Sequence, residues 1–131
     1  MICDLTSGTH LDLNEFTISP QGIRYKIITP SDKQKPQSGD IVTVHYTGWL
    51  LQNMDQVGQK FDSSFDRKET FQFTLGGRYV IEGWELTIAD MHVGEERLII
   101  LPPQLAYGNR AISIIPANSY LIFDIQCISA E

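Results

Sequence analysis

Few side chains in this chain are arranged for covalent or metal chemistry. His10, His45 and His92 stand far apart, with no HExxH pair and no carboxylate at ligand spacing, so no metal site is expected. A phosphate-cradling glycine loop and the GxSxG elbow of a serine nucleophile are both missing, and Gly76-Gly77 reads as a tight turn. Metal-assisted and covalent hydrolysis thereby lose their support. What remains is a set of aromatic residues from separate segments: Tyr46, Phe61, Phe71, Trp84, Tyr107 and Phe123. Each alone reads as ordinary core. A fold that gathered them would make an apolar pocket.

The elements that would have to position them are legible as periodicities. Val42, Val44 and Tyr46 alternate with Thr43, His45 and Thr47 inside Ile41 to Leu50, the period-two pattern of a strand with one buried face. His45 falls on the polar side and reads as a surface residue. Phe71 to Leu75 repeats the pattern, and in Leu121 to Ser129 the residues Leu121, Phe123, Ile125 and Cys127 share a face. Ile23 to Thr29 is rich in β-formers, and Arg97 to Leu101 reads as a more fully buried strand. Only Glu82 to Met91 is helical in pattern, with Trp84, Ile88 and Met91 on one stripe. One helix cannot cover both faces of a sheet. The predicted class is therefore α+β, a curved antiparallel sheet of about five strands wrapped around one short helix.

Two connections, 51–60 and 102–118, are longer than a structural joint requires. The second carries Ala106, Tyr107, Ile112, Ile114 and Ile115. It is expected either to line a pocket, to present an apolar patch, or to fold back and plug its own core. Residues 1–21 end in the turn cluster Ser19-Pro20-Gln21-Gly22 and read as a loosely structured leader, leaving 22–131 as the single domain.

Composition narrows the partners. Ten Lys and Arg stand against 16 Asp and Glu, so the net charge is 10 − 16 = −6, and no basic run exceeds Arg67-Lys68. Nucleic acid and anionic membrane surfaces are poor partners for such a chain, and no apolar run has the length of a membrane span. Cys3 and Cys127 sit at opposite ends, Cys3 in a tail and Cys127 in the core, a usage that suits a reducing, cytoplasmic compartment. The alternative is an exported or membrane-anchored protein if the sequence is a trimmed form of a precursor, with Cys3 then at a position where a lipid attaches. The absence of a long helical dimerisation segment predicts a monomer.

Several motifs occur in a fixed order: Val44-His45-Tyr46-Thr47-Gly48, Phe61-Asp62-Ser63-Ser64, Asp66-Arg67, Phe71 and Phe73, Leu75-Gly76, Val80-Ile81-Glu82-Gly83-Trp84-Glu85, Met91, Val93-Gly94, Ala106-Tyr107-Gly108, Ile115-Pro116 and Leu121-Ile122-Phe123-Asp124. From about Gly22 to Glu131 the chain resembles FKBP-type peptidyl-prolyl cis-trans isomerases. The resemblance implies an enzyme with no cofactor and no covalent intermediate that assists folding by accelerating Xaa-Pro rotation in flexible or unfolded chains. It implies a proline ring seated over Trp84, with Tyr46, Phe71, Val80, Ile81 and Phe123 as walls. The Tyr107 hydroxyl and the Ile81 N–H would hold substrate carbonyls, and Asp62 would sit at the rim, paired with Arg67. Tyr107, Asp62, Trp84 and Phe123 are the implied catalytic group. Tyr46, Phe61, Arg67, Phe71, Val80, Ile81, Ile114 and Ile115 are the implied substrate contacts. Clients would be proline-containing chains, and the macrolides tacrolimus and rapamycin are expected inhibitors. A peptide-gripping module without turnover is the competing reading.

The chain departs from the family pattern in places. The segment between Gly48 and Phe61 is longer, Ala111-Ile112 replace a Gly/His/Pro-rich tip, Ala117 stands where a second proline is common, and Thr87 stands where a glycine is usual.

Overall fold

The computed structural model describes residues 5–131, so Cys3 lies outside the described residues. Among the described residues, seven strands, β1 (Thr17–Ile18), β2 (Arg24–Thr29), β3 (Ile41–Gln52), β4 (Gln56–Ser63), β5 (Phe71–Thr74), β6 (Glu96–Leu101) and β7 (Leu121–Ala130), form one sheet with a single α-helix, α1 (Glu82–Asp90). All pairings are antiparallel, in the order β1-β2-β6-β7-β3-β4, with β5 beside the first half of β3. The predicted α+β class holds. The two strands beyond the five expected are β1, too short to show a period, and β4.

Strand β4 arises inside the segment read as a long loop at 51–60. That segment is instead a hairpin, with Leu51 paired to Val57 and Gln52 to Gln56. Asn53 and Met54 take positive φ of 50° and 65° at its tip, and the ladder is broken by register shifts near Trp49. Gly58 explains why no alternation marks this strand: its Cβ would lie 2.9 Å from the Leu50 carbonyl oxygen.

The inner face of the sheet packs on α1. Val42, Val44, Phe73, Ile99, Leu101, Leu121, Ile125 and Cys127 surround Ile88 and Met91 in one core. The helix can lie this close because residue 83 is glycine; a Cβ there would meet Leu101 Cδ2 at 2.5 Å. Glu82 and Glu85 in the first turn suit the positive end of the helix, and the Glu85 carboxylate also accepts from the Gly76 N–H at 3.0 Å.

The outer face carries a second core, Trp49, Val57, Leu98, Ile100 and Ile122, covered by Leu5, Leu11, Leu13 and Phe16. The expectation of a loose leader is corrected here for residues 5–21. The Gly8 N–H donates to the Val57 carbonyl (2.7 Å), the Val57 N–H to Thr9 (2.9 Å) and the Leu11 N–H to Asp55 (2.7 Å), after which Thr17–Ile18 pairs with β2. The segment is held because a sheet with one helix leaves its other face bare, and these apolar residues remove that face from water. His45 is half-buried rather than on the surface: its ring stacks on Phe65 at 4.1 Å and its Nδ1 bonds the Ser64 hydroxyl at 2.7 Å.

Candidate active site

Between α1 and the inner sheet face lies a cavity of about 330 Å³. Tyr46 comes from β3, Phe61 and Asp62 from β4, Phe71 from β5, Trp84 from α1 and Phe123 from β7. Val80 and Ile81 arrive from the connection into the helix and Tyr107 from the 102–118 loop. The fold thus gathers the scattered aromatic set into one hollow.

Trp84 organises the walls. Its ring meets Tyr46 at 4.8 Å and 78°, Phe123 at 5.4 Å and 84°, and Phe71 at 6.1 Å and 78°, while Phe61 stands edge-on to Phe123 at 5.6 Å. Edge-to-face contacts place the positive rim of one ring on the negative face of another and fix the ring planes. Gly48 makes room for this arrangement, since a Cβ there would fall 2.6 Å from Phe61 Cζ and 2.7 Å from Phe123 Cε1.

Polar groups occupy one side of the mouth. The Tyr46 hydroxyl donates to Asp62 Oδ2 at 2.5 Å, Arg67 Nη1 pairs with Asp62 Oδ1, and Arg67 Nη2 donates to the Tyr46 hydroxyl at 3.0 Å. Burial, then the Asp62 hydrogen bond, raises the Tyr46 pKa above its usual value. Tyr107 is raised by burial and by the Asp62 charge. Both phenols therefore stay protonated. The Tyr107 hydroxyl makes no hydrogen bond to a described residue and is open to an acceptor in the cavity. The Trp84 Nε1–H is likewise buried without a described partner.

Among the residues singled out in the sequence, Tyr46, Phe61, Asp62, Phe71, Val80, Ile81, Trp84, Tyr107 and Phe123 line this cavity, and Arg67 reaches it through Asp62 and Tyr46. Ile114 and Ile115 do not. Ile115 is buried in the core and Ile114 is exposed. The 102–118 loop thus combines the alternatives: Leu105 and Ile115 plug the core, Tyr107 lines the cavity, and Ile112 and Ile114 face solvent. Arg78 and Tyr79 also line the cavity; the one signal for them in the sequence was an aromatic residue immediately before Val80-Ile81.

The family model described as FKBP-type peptidyl-prolyl cis-trans isomerase matches residues 32–128. The chain belongs to this family. Among FKBP-type relatives, it is 43% identical over 129 residues to FK506-binding protein 2 of Candida glabrata, covering 98% of this chain and 88% of that one. It is 42% identical over 111 residues to FK506-binding protein 2B of Rhizopus delemar, covering 84% of this chain and 51% of that protein, so it spans about half of the latter's length. The crystal structure of AtFKBP13 superposes with a TM-score of 0.81 at 32% identity, covering 89% of this chain and 99% of that one. As an FKBP-type isomerase the chain is an enzyme of peptidyl-prolyl cis-trans interconversion. Among the described residues, no helix is long and apolar enough to cross a membrane.

Proposed function

We propose that the aromatic cavity binds the proline ring of an Xaa-Pro segment in a flexible or unfolded chain and accelerates rotation about the preceding amide, assisting folding. The observation that carries this reading is a hollow walled edge-on by aromatics, with uncharged phenol donors and a carboxylate already occupied by Tyr46 and Arg67. Rotation is opposed by a barrier of ~18–20 kcal/mol because resonance gives the C–N bond double-bond character. That resonance form is charge-separated and favoured by water, so an apolar pocket raises the planar ground state relative to the twisted one.

Trp84 carries the ring, with Tyr46, Phe71, Val80, Ile81 and Phe123 around it. Tyr107 donates its hydroxyl to a substrate carbonyl, and the Ile81 N–H, at the amino end of α1, holds a neighbouring one. Asp62, fixed by Tyr46 and Arg67, keeps the Tyr46 ring upright rather than moving a proton. No proton transfer is needed, which is why acid–base and nucleophile signatures are absent. The relatives named FK506-binding proteins support tacrolimus, and with it rapamycin, as ligands of the same hollow.

Exchange spectroscopy on a short Xaa-Pro peptide, with and without tacrolimus, tests the reading. Line broadening of the cis and trans signals on adding catalytic protein, reversed by tacrolimus, is expected. Exchange at the spontaneous rate would defeat it.

A further inference from the structure

Asp62 and Arg78 are the charged side chains that line the proline cavity, and they differ in how fully their charge is paired. Asp62 is engaged by the Tyr46 hydroxyl and by Arg67. Arg78 has no such partner. Among the described residues, the lysines and arginines in ion pairs are Lys26, Lys35, Lys60, Arg67 and Arg97, and the arginine side chains in hydrogen bonds are those of Arg67 and Arg97. Of the two carboxylates in the first turn of α1, Glu85 is bonded to the Gly76 N–H, and Glu82 enters none of these pairs. The exposed Arg78 guanidinium is therefore the one unpaired charge on the cavity wall.

The backbone at this position is unusual for an arginine. Arg78 has a φ of 60°, in the left-handed region that favours glycine, two residues after Gly76 at 86°. A glycine at 78 would relieve that strain, so the turn gives no reason for a side chain here, and residues held in this way gather at ligand contacts. Gly77, by contrast, is required by packing, since its Cβ would fall 2.5 Å from Tyr79 Cε2. Residues 78–81 together form one wall of the cavity, running from Arg78 to Ile81 at the amino end of α1.

We infer that Arg78 is a specificity residue of the isomerase, favouring substrates with Asp or Glu immediately after the proline. The inference rests on the proposed seating of the proline. With the Tyr107 hydroxyl on the carbonyl of the rotating amide, the Ile81 N–H holds the carbonyl of the proline itself, and the chain leaves the cavity along 81 to 78. The side chain that follows the proline then passes the Arg78 guanidinium. A contact between two solvent-exposed charges is worth ~2- to 5-fold and is screened by salt. The net charge of −6 disfavours acidic peptides wherever their charge lies, whereas Arg78 acts at one position.

Exchange spectroscopy of the full chain with acetyl-Ala-Leu-Pro-Zaa-Ala-amide, Zaa being Glu, Gln or Lys, at subsaturating peptide tests this. In low-salt buffer kcat/KM should be ~2- to 5-fold higher for Glu than for Gln, with Lys lowest, and the spread should shrink at about 0.5 M NaCl. Arg78→Lys should keep that order. Arg78→Gln should bring Glu level with Gln or below it, and Arg78→Glu should place Lys ahead. Each comparison is made within one variant, so a partial loss of folded protein cancels. Glu placed before the proline, in acetyl-Ala-Glu-Pro-Gln-Ala-amide, should give no such advantage over Gln at that position. Equal rates for the three peptides, an order that survives Arg78→Gln, or the same advantage for Glu on either side of the proline would overturn the proposal. Tacrolimus-sensitive turnover of the Gln peptide would in those cases leave the proline reading standing. Absence of turnover for every peptide would defeat both.

Discussion

Asp62 is engaged by two donors at once, whereas the Tyr107 hydroxyl keeps its hydrogen free for a substrate acceptor. Tyr107→Phe should therefore lower kcat/KM by ~5- to 10-fold, the loss of one hydrogen bond made in the twisted state, with no change in melting temperature. An unchanged rate combined with weaker peptide binding would instead mark a gripping module. The raised pKa values of Tyr46 and Tyr107 have a further consequence. An unperturbed phenol ionises near about pH 10, so both hydroxyls remain intact throughout the neutral and mildly alkaline range. The rate should be flat from about pH 6 to about pH 9, since no group that titrates there takes part in the proposed step. A bell-shaped profile in that range would mean that a proton transfer had been overlooked.

At the scale of elements, two glycines set how closely the layers approach. Gly83→Ala drives a methyl against Leu101, and Gly48→Ala drives one against Phe61 and Phe123. Each should cost ~1–3 kcal/mol in urea unfolding, because the added methyl falls 2.5–2.7 Å from side-chain carbons that must shift to admit it. The Gly48 variant should also lose turnover beyond its loss of stability, since its displaced rings are cavity walls. The leading segment is the other structural device. Phe16→Ala removes part of the cover over Trp49, Leu98, Ile100 and Ile122. Hydrogen exchange should accelerate over 5–18 while the β3 and β7 amides remain protected, which would show the segment opening separately from the sheet.

The whole molecule stores a pH dependence on the face of the sheet opposite the site. Asp124 and Glu96, 2% and 3% exposed, share the outer face of the sheet, and neither Asp124 oxygen finds a described donor. Two carboxyls in contact can bond only if one keeps its proton. Burial, and then the hydrogen bond and charge of Glu96, push Asp124 from an ordinary 3.8 to about 8. Between those values the folded protein holds a proton that the unfolded chain has released, so folding takes up a proton. Stability is then greatest below the lower value and declines as pH rises to about 8, by at most ~1.4 kcal/mol per pH unit from this group. Urea midpoints across this window should fall less steeply in Asp124→Asn than in the natural chain. Parallel slopes would show that the pair does not hold the proton.

Legibility in the sequence followed the reach of each signal. The α+β class, the Trp84-Ile88-Met91 stripe, the strands at Ile41, Phe71, Arg97 and Leu121, and the aromatic set were readable because alternation, helical spacing and short motifs act over a few residues. Strand β4 escaped because a strand interrupted by Gly58 and register shifts has no clean alternation. The tertiary structure alone decided that 5–21 is packed, that Ile115 is core while Ile114 is exposed, and that Arg78 and Tyr79 join the cavity. It also decided that Asp124 keeps company with Glu96. Each of these depends on which distant surface covers a residue, and burial by a remote segment leaves no mark on the local pattern.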